Sequence, residues 1–112
     1  MKRGITIALI AAAAVEAYRF INFSGANGKM AGAGEGVIGA SDLPAKVGER
    51  FDAMVTGIAE VQLGGTVSAN DPLKSDANGK AVVGNIATDR IGGIALESGV
   101  AGDVIQVLLA QR

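Results

Sequence analysis

Cysteine, histidine and tryptophan are absent from this chain of 112 residues, and aromatic residues make up only 4% of it. Without cysteine there are no disulfide staples, thiolate nucleophiles or thiolate zinc sites; without histidine the commonest general base and the imidazole ligand are missing too. Neither sign of charge is in excess: ten basic and eleven acidic residues leave a net charge of -1. Neither sign forms a run, so electrostatic attachment to nucleic acid or to an anionic membrane is not expected. The longest apolar stretch, Ile5 to Val15, falls short of the roughly 20 residues that a helix needs to cross a bilayer.

What the chain does contain is small and β-branched. Ala and Gly supply a third of the residues, and Val and Ile together outnumber Leu threefold. β-Branched side chains fit the pleated sheet better than the helix, and frequent glycine marks turns, so the composition points to an all-β fold. The length allows one domain spanning 1–112, which by area scaling buries roughly 65% of its extended surface.

Met1-Lys2-Arg3 followed by an apolar stretch imitates a secretory leader, with small residues at Val15-Glu16-Ala17. A secreted or periplasmic β-barrel binding module is therefore the alternative reading. The stretch also suits the fold itself, because Ile5, Ile7 and Leu9 alternate with Thr6 and Ala8 as in a strand. Ala11 to Ala14 fit either a short helix or a close-packed strand. Tyr18 to Phe23 read as a strand that holds three of the four aromatic residues, either as core or as a contact surface.

Further on, Ser24-Gly25-Ala26-Asn27-Gly28 reads as turn chemistry, and the glycine-rich run to Gly36 leads into Val37-Ile38-Gly39-Ala40. Arg50 to Val55 alternate as a half-buried strand with Phe51, Ala53 and Val55 on one side, and Ile58 to Leu63 form another. The turn Asp76-Ala77-Asn78-Gly79, between Leu73-Lys74-Ser75 and Lys80-Ala81-Val82-Val83, gives the clearest hairpin. Ile91 to Leu96 and Val104 to Leu109 complete a series expected to form a small β-barrel or sandwich. An internal echo runs through it. Gly36 to Asp42 leading to Gly48 to Val55 resembles Gly93 to Ser98 leading to Gly102 to Leu109: apolar strand, small-acidic bend, Gly-acidic turn, apolar strand.

No motif carries chemistry. Gly28-Lys29 and Gly79-Lys80 lack the glycine five places earlier and the following Ser or Thr of a phosphate loop. Gly32-Ala33-Gly34-Glu35-Gly36 lacks the spacing and context of a dinucleotide fingerprint. Asp76-Ala77-Asn78-Gly79 has Lys74 where a calcium loop begins and no closing glutamate. Asp42, Glu49, Asp52, Asp71, Asp89, Glu97 and Asp103 adjoin glycines or strand ends as solvated turn positions. No catalytic residue, cofactor site or metal site is expected, and the chain is expected not to be an enzyme. A lipoyl-like carrier, considered for Val61 to Leu73, would need its lysine at the hairpin tip, where Asp76 to Gly79 stand instead.

The order of segments is nonetheless distinctive. An alanine-rich opening (Ala11 to Ala14) runs through Val15-Glu16-Ala17 into Tyr18-Arg19-Phe20, and Val37-Ile38-Gly39-Ala40 and Gly48-Glu49 follow. Then come Gly64-Gly65-Thr66-Val67-Ser68-Ala69-Asn70-Asp71-Pro72-Leu73 and the hairpin, and finally Ile94-Ala95-Leu96-Glu97 and Ala101-Gly102-Asp103 with the last strand. Over nearly its whole length the chain resembles a family of small tailed-phage capsid decoration, or cement, proteins that also occur in prophages. It departs from many of them in having Asn70 where they tend to have Gly, and in the Gly-rich stretch from Gly25 to Gly36.

The resemblance implies a β-barrel-like subunit, made in the host cytoplasm, that assembles on the exterior of the expanded head. There it clamps neighbouring major capsid protein subunits, commonly as a homotrimer. On that reading Met1 to Ala14 is a candidate interface segment, and Ile5, Ile7, Leu9, Tyr18, Phe20 and Phe23 are candidate contacts with another subunit or the capsid.

Overall fold

The computed structural model of the chain describes residues 5–24 and 27–109. Ten strands account for its regular structure: β1 (Thr6–Ala11), β2 (Phe20–Ser24), β3 (Asn27–Met30), β4 (Gly39–Ser41), β5 (Arg50–Met54), β6 (Ile58–Gln62), β7 (Pro72–Ser75), β8 (Ala81–Val83), β9 (Gly93–Ala95) and β10 (Val104–Leu109). They form two sheets of five. In the first the pairing order is β1-β3-β2-β4-β5, and β5 pairs back onto β1. The β1–β5 ladder is long, from Thr6↔Met54 to Ile10↔Arg50, whereas β1 meets β3 only at Ile10↔Asn27 and Ala11↔Gly28. The second sheet runs β6-β10-β9-β7-β8, with its end strands touching through a single parallel bridge, Leu63↔Ala81.

The two sheets are copies of one plan. If β1 to β5 are matched in order to β6 to β10, the neighbours in the two sheets are the same. The correspondence reaches individual residues. Val15, between β1 and β2, bridges Ala45, between β4 and β5; Val67 bridges Gly99 in the same way, and these lie 52 and 54 residues further on. Ala11 N–H donates to the Glu49 carbonyl at 2.8 Å, and its counterpart Leu63 N–H donates to the Asp103 carbonyl at 2.7 Å.

Each of the four links ends in a tight turn with one left-handed residue: Tyr18 (φ 62°), Gly48 (86°), Asn70 (77°) and Gly102 (95°). A left-handed backbone favours Gly and tolerates Asn, which accounts for Asn70 at a place where the family that the sequence resembles tends to have Gly. In three of the turns an acid closes the loop by accepting the N–H three residues back: Glu49 from Lys46 at 2.7 Å, Asp71 from Ser68 at 2.9 Å, and Asp103 from Val100 at 3.0 Å. The echo read in the sequence at β4–β5 and β9–β10 is thus half of a larger repeat that also relates β1–β2 to β6–β7.

The all-β expectation holds; one reading left open is decided and two local readings change. Ala11 to Ala14 are not a helix: Ala11 ends β1 with its N–H and carbonyl both engaged by the Gly48–Glu49 turn, and Ala12 to Ala14 bend in the open. Four residues held in this way cannot meet the cost of nucleating a helical turn. The aromatic strand begins at Phe20, since Tyr18 lies in the left-handed turn. Asn27-Gly28, read as turn, opens β3. Gly28 is there for close packing, because a Cβ on it would lie 2.7 Å from Leu9 Cδ1 and 2.8 Å from Phe51 Cζ.

Two clusters make the core. Leu9, Ala11, Val15, Ile21, Ala45, Phe51 and Ala53 fill the first ring. The larger cluster fills the second sheet and also takes in Phe20, Ala40 and Met54 from the outer face of the first. Those three lie in register across β2, β4 and β5, so the second half of the chain covers the back of the first.

Close backbone approach within each half falls on matched glycines. A Cβ on Gly39 would strike the Met54 carbonyl, and one on Gly93 would lie 2.6 Å from the Leu108 carbonyl. Gly39→Ala and Gly93→Ala are each expected to cost about 1–3 kcal/mol. Gly65→Ala, whose Cβ meets nothing nearer than 3.9 Å, is expected to stay within about 0.5 kcal/mol. Urea unfolding of the three variants checks this.

Candidate docking surfaces

The contact candidates named from the sequence do not share one surface. Leu9 and Phe20 are core side chains, Phe20 having no exposure at all. Ile7 is half-buried against the first cluster. Tyr18 is half-buried in its turn, where its N–H donates to the Ser41 carbonyl and its carbonyl accepts from Gln62 N–H. Ile5 and Phe23 are open to solvent, at 62% and 46%. Ile5 lies just before β1, tied to Val55 and Thr56 through its backbone, and Phe23 lies near the end of β2. Of the segment from Met1 to Ala14, residues 1–4 lie outside the described residues, and β1 is built into the ring between β3 and β5.

Sequence reading missed other apolar positions. Leu43 and Val47, in the link between β4 and β5, are 72% and 67% exposed. Leu43 borders a groove of about 440 Å³ that also includes Thr6, Pro44, Arg50 and Asp52. Its signal in the sequence was an apolar residue between Asp42 and Pro44, a place where turn chemistry supplies no reason for one. On the outward face of the second sheet, Ile58, Leu108, Ile94 and Pro72 lie in register across four strands, Leu108 being 42% exposed. The alternation of Val104, Gln106 and Leu108 on that face was visible in the sequence, but its depth across the sheet depends on long-range register.

The charged groups serve the fold. Arg19 stands in the first turn where the other three carry an acid, and it is nearly buried at the junction of the halves. Its Nη2 donates to Gln62 Oε1 at 2.8 Å and lies 3.4 Å from Glu16 Oε1, while its Nε is buried with no partner. Asp89 accepts from Asn85 N–H at 2.7 Å and lies 3.4 Å from Lys74 Nζ. The Asn85 N–H foremost, and Lys74 beside it, hold its carboxyl below the ordinary 3.8. At the β7–β8 tip, Asp76 Oδ1 accepts from the N–H groups of Asn78 and Lys80, so the hairpin turn accounts for that motif. Among the described residues, no three acidic, histidine or cysteine side chains gather to hold a metal ion, and no helix is long and apolar enough to cross a membrane.

What the geometry offers is therefore apolar contact: an exposed link at Leu43 and Val47, a flat row on the second sheet, and an aromatic side chain at Phe23. Residues 1–111 match the profile of a family described as phage cement protein. The chain belongs to that family. Cement membership makes it a structural protein of the phage virion, associated with the capsid. The fold agrees with a solved structure described as head fiber gp8.5 N base in bacteriophage phi29: the TM-score is 0.80 at 17% identity, over 98% of this chain and 95% of that one. No curated protein gives a significant match.

Removing the partner of Arg19 is expected to cost more than removing Arg19 itself. Gln62→Ala leaves a buried guanidinium short of its closest acceptor, at about 1.5–3 kcal/mol, whereas Arg19→Met replaces the charge with an apolar chain of similar length and costs less. Urea unfolding ranks the two.

For Asp89, a carboxyl lowered in the folded state stabilises the fold above its unfolded pKa, and that contribution is lost as pH falls through the folded value. Asp89→Asn should therefore lower the unfolding temperature modestly at neutral pH, with the difference from wild type disappearing well below pH 3.8. Thermal unfolding from pH 7 to 2 measures it.

Proposed function

We propose that this cement protein binds the outer surface of the expanded phage head and stabilises it by bridging neighbouring major capsid protein subunits, as a homotrimer and without catalysis. The observation that carries this reading is the family match across nearly the whole chain. The surface supports it. Leu43 and Val47 flank Ala45, which the Val15–Ala45 bridge pins at the middle of the link, and the Glu49 turn closes the link before β5. Apolar side chains on so constrained a loop lose little freedom on docking. One such contact is weak, but three copies linked in one assembly engage together and gain by effective concentration. A ring of three also matches the way in which closed symmetric assemblies repeat one contact.

The test is sedimentation with emptied, expanded heads. Saturable co-sedimentation is expected for the wild-type chain, and its absence would overturn the reading. Burying an exposed leucine or valine contributes about 1.5–3 kcal/mol. Leu43→Asp and Val47→Asp are each expected to weaken head binding by roughly tenfold or more, with the unfolding temperature unchanged because both side chains are already in solvent.

A further inference from the structure

We propose that copies of this chain join head to tail through two apolar surfaces that the internal repeat leaves unpaired. These are the outward row of one copy, Pro72, Ile94, Leu108 and Ile58, and the mouth of the first ring in the next, at Phe23 and Ile38. The proposal deepens the trimer reading by naming the subunit contact. It rests on that reading only in taking copies to associate.

The chain already contains one such joint. In the first half, the row Phe20, Ala40 and Met54 is buried against the second half. It enters at the mouth of the second sheet, where Phe20 N–H donates to the Gly79 carbonyl at 2.7 Å and a Cβ on Gly92 would lie 3.2 Å from the Phe20 ring. Nearby, Ser75 Oγ donates to the Ala31 carbonyl at 3.1 Å.

Each side of that joint has a counterpart elsewhere. Pro72, Ile94 and Leu108 repeat Phe20, Ala40 and Met54 strand for strand, with the same cross-strand partners. They are apolar again, yet among the described residues they belong to neither core cluster: Leu108 is 42% exposed, and Pro72 and Ile94 are half-buried. On the other side, Ser75 and Gly92 correspond to Phe23 and Ile38. Gly92 N–H donates to the Leu73 carbonyl at 2.8 Å, just as Ile38 N–H donates to the Ile21 carbonyl at 2.9 Å. Where the filled mouth has Ser and Gly, the open one has Phe and Ile, beside a groove of about 450 Å³ lined by Asn22, Val37 and Arg90 as well.

Among the described residues, each copy thus carries one row and one mouth that are apolar and partly open, Phe23 being 46% exposed and Ile38 half-buried against the first cluster. The charges beside them differ in sign: Arg90 at the groove, and Glu60 and Glu97 near the row, where Glu97 accepts from Gln106 N–H at 2.9 Å and Lys74, the cation beside Pro72, is paired with Asp89 at 3.4 Å. A contact between unlike surfaces is heterologous and closes into a ring when its rotation allows.

Complementation tests it, in the absence of heads so that capsid binding is a separate readout. Leu108→Lys spoils the row and Phe23→Asp spoils the mouth, both at exposed positions. In sedimentation velocity at rising concentration, wild type is expected to associate, and each variant alone to associate at least tenfold more weakly. An equimolar mixture of the two is expected to form a dimer that grows no further, because one variant keeps a sound mouth and the other a sound row. A wild-type chain that stays monomeric, variants that assemble like wild type, or a mixture no more associated than its components would overturn the proposal. If thermal unfolding shows either variant misfolded, Leu108→Ser and Phe23→Ser are read by the same outcomes.

Discussion

The burial of Phe20, Ala40 and Met54 against the second half of the chain is the contact on which the rest depends. Alone, the first ring would present these side chains to water, and the second sheet would leave its mouth open beside the β7–β8 turn and the start of β9. Joined, they share one core that runs from Phe20 to Leu109. Small residues make the fit possible, since Gly79 and Gly92 leave the space that Phe20 occupies. Large side chains are scarce in this protein because closely packed sheets leave them little room. The cost of the joint shows at Arg19, a buried cation held across the junction by Gln62 with one nitrogen left unpartnered. An unpaired buried donor is unfavourable, and it persists because the packed core around it fixes its position.

Building the domain twice from one plan has a consequence for association. A joint between two like units that is not symmetric leaves one free surface of each kind at the ends. The free row on β10 and its neighbours and the free mouth at Phe23 are those ends. The link carrying Leu43 and Val47 is separate from both in the chain. One small virion protein can then hold its own copies with one pair of surfaces and meet the capsid with another. In a structural protein of the virion, that division keeps self-association and docking from competing.

Much of this was legible in the sequence because it is local. The hairpin at Asp76 to Gly79 was readable from Asn-Gly, β10 from its apolar run, and the acid-closed turns from Gly-Glu and Gly-Asp pairs. The echo between β4–β5 and β9–β10 was visible because both copies keep those turns. The matching of β1–β2 to β6–β7 was not, because Tyr18 and Arg19 stand where the other copy has Asn70 and Asp71, and only the backbone angle reveals the likeness. β3 was hidden because Gly28 serves packing against Leu9 and Phe51, a reason that exists only once distant strands meet. Among the candidate contacts, hydrophobicity could not separate Ile5 and Phe23, which are exposed, from Leu9 and Phe20, which are core. The row on the second sheet required the register of four strands, three of them brought together from far apart in the chain.

The most direct measurement is a cryo-electron microscopy reconstruction of expanded heads carrying this protein. It is predicted to show copies on the outside of the shell, spanning neighbouring capsid subunits, with the Leu43–Val47 link toward the shell and the β10 row of one copy against Phe23 of the next. Density absent from the exterior, or copies that touch the shell with that link facing solvent and the row uncovered, would contradict it.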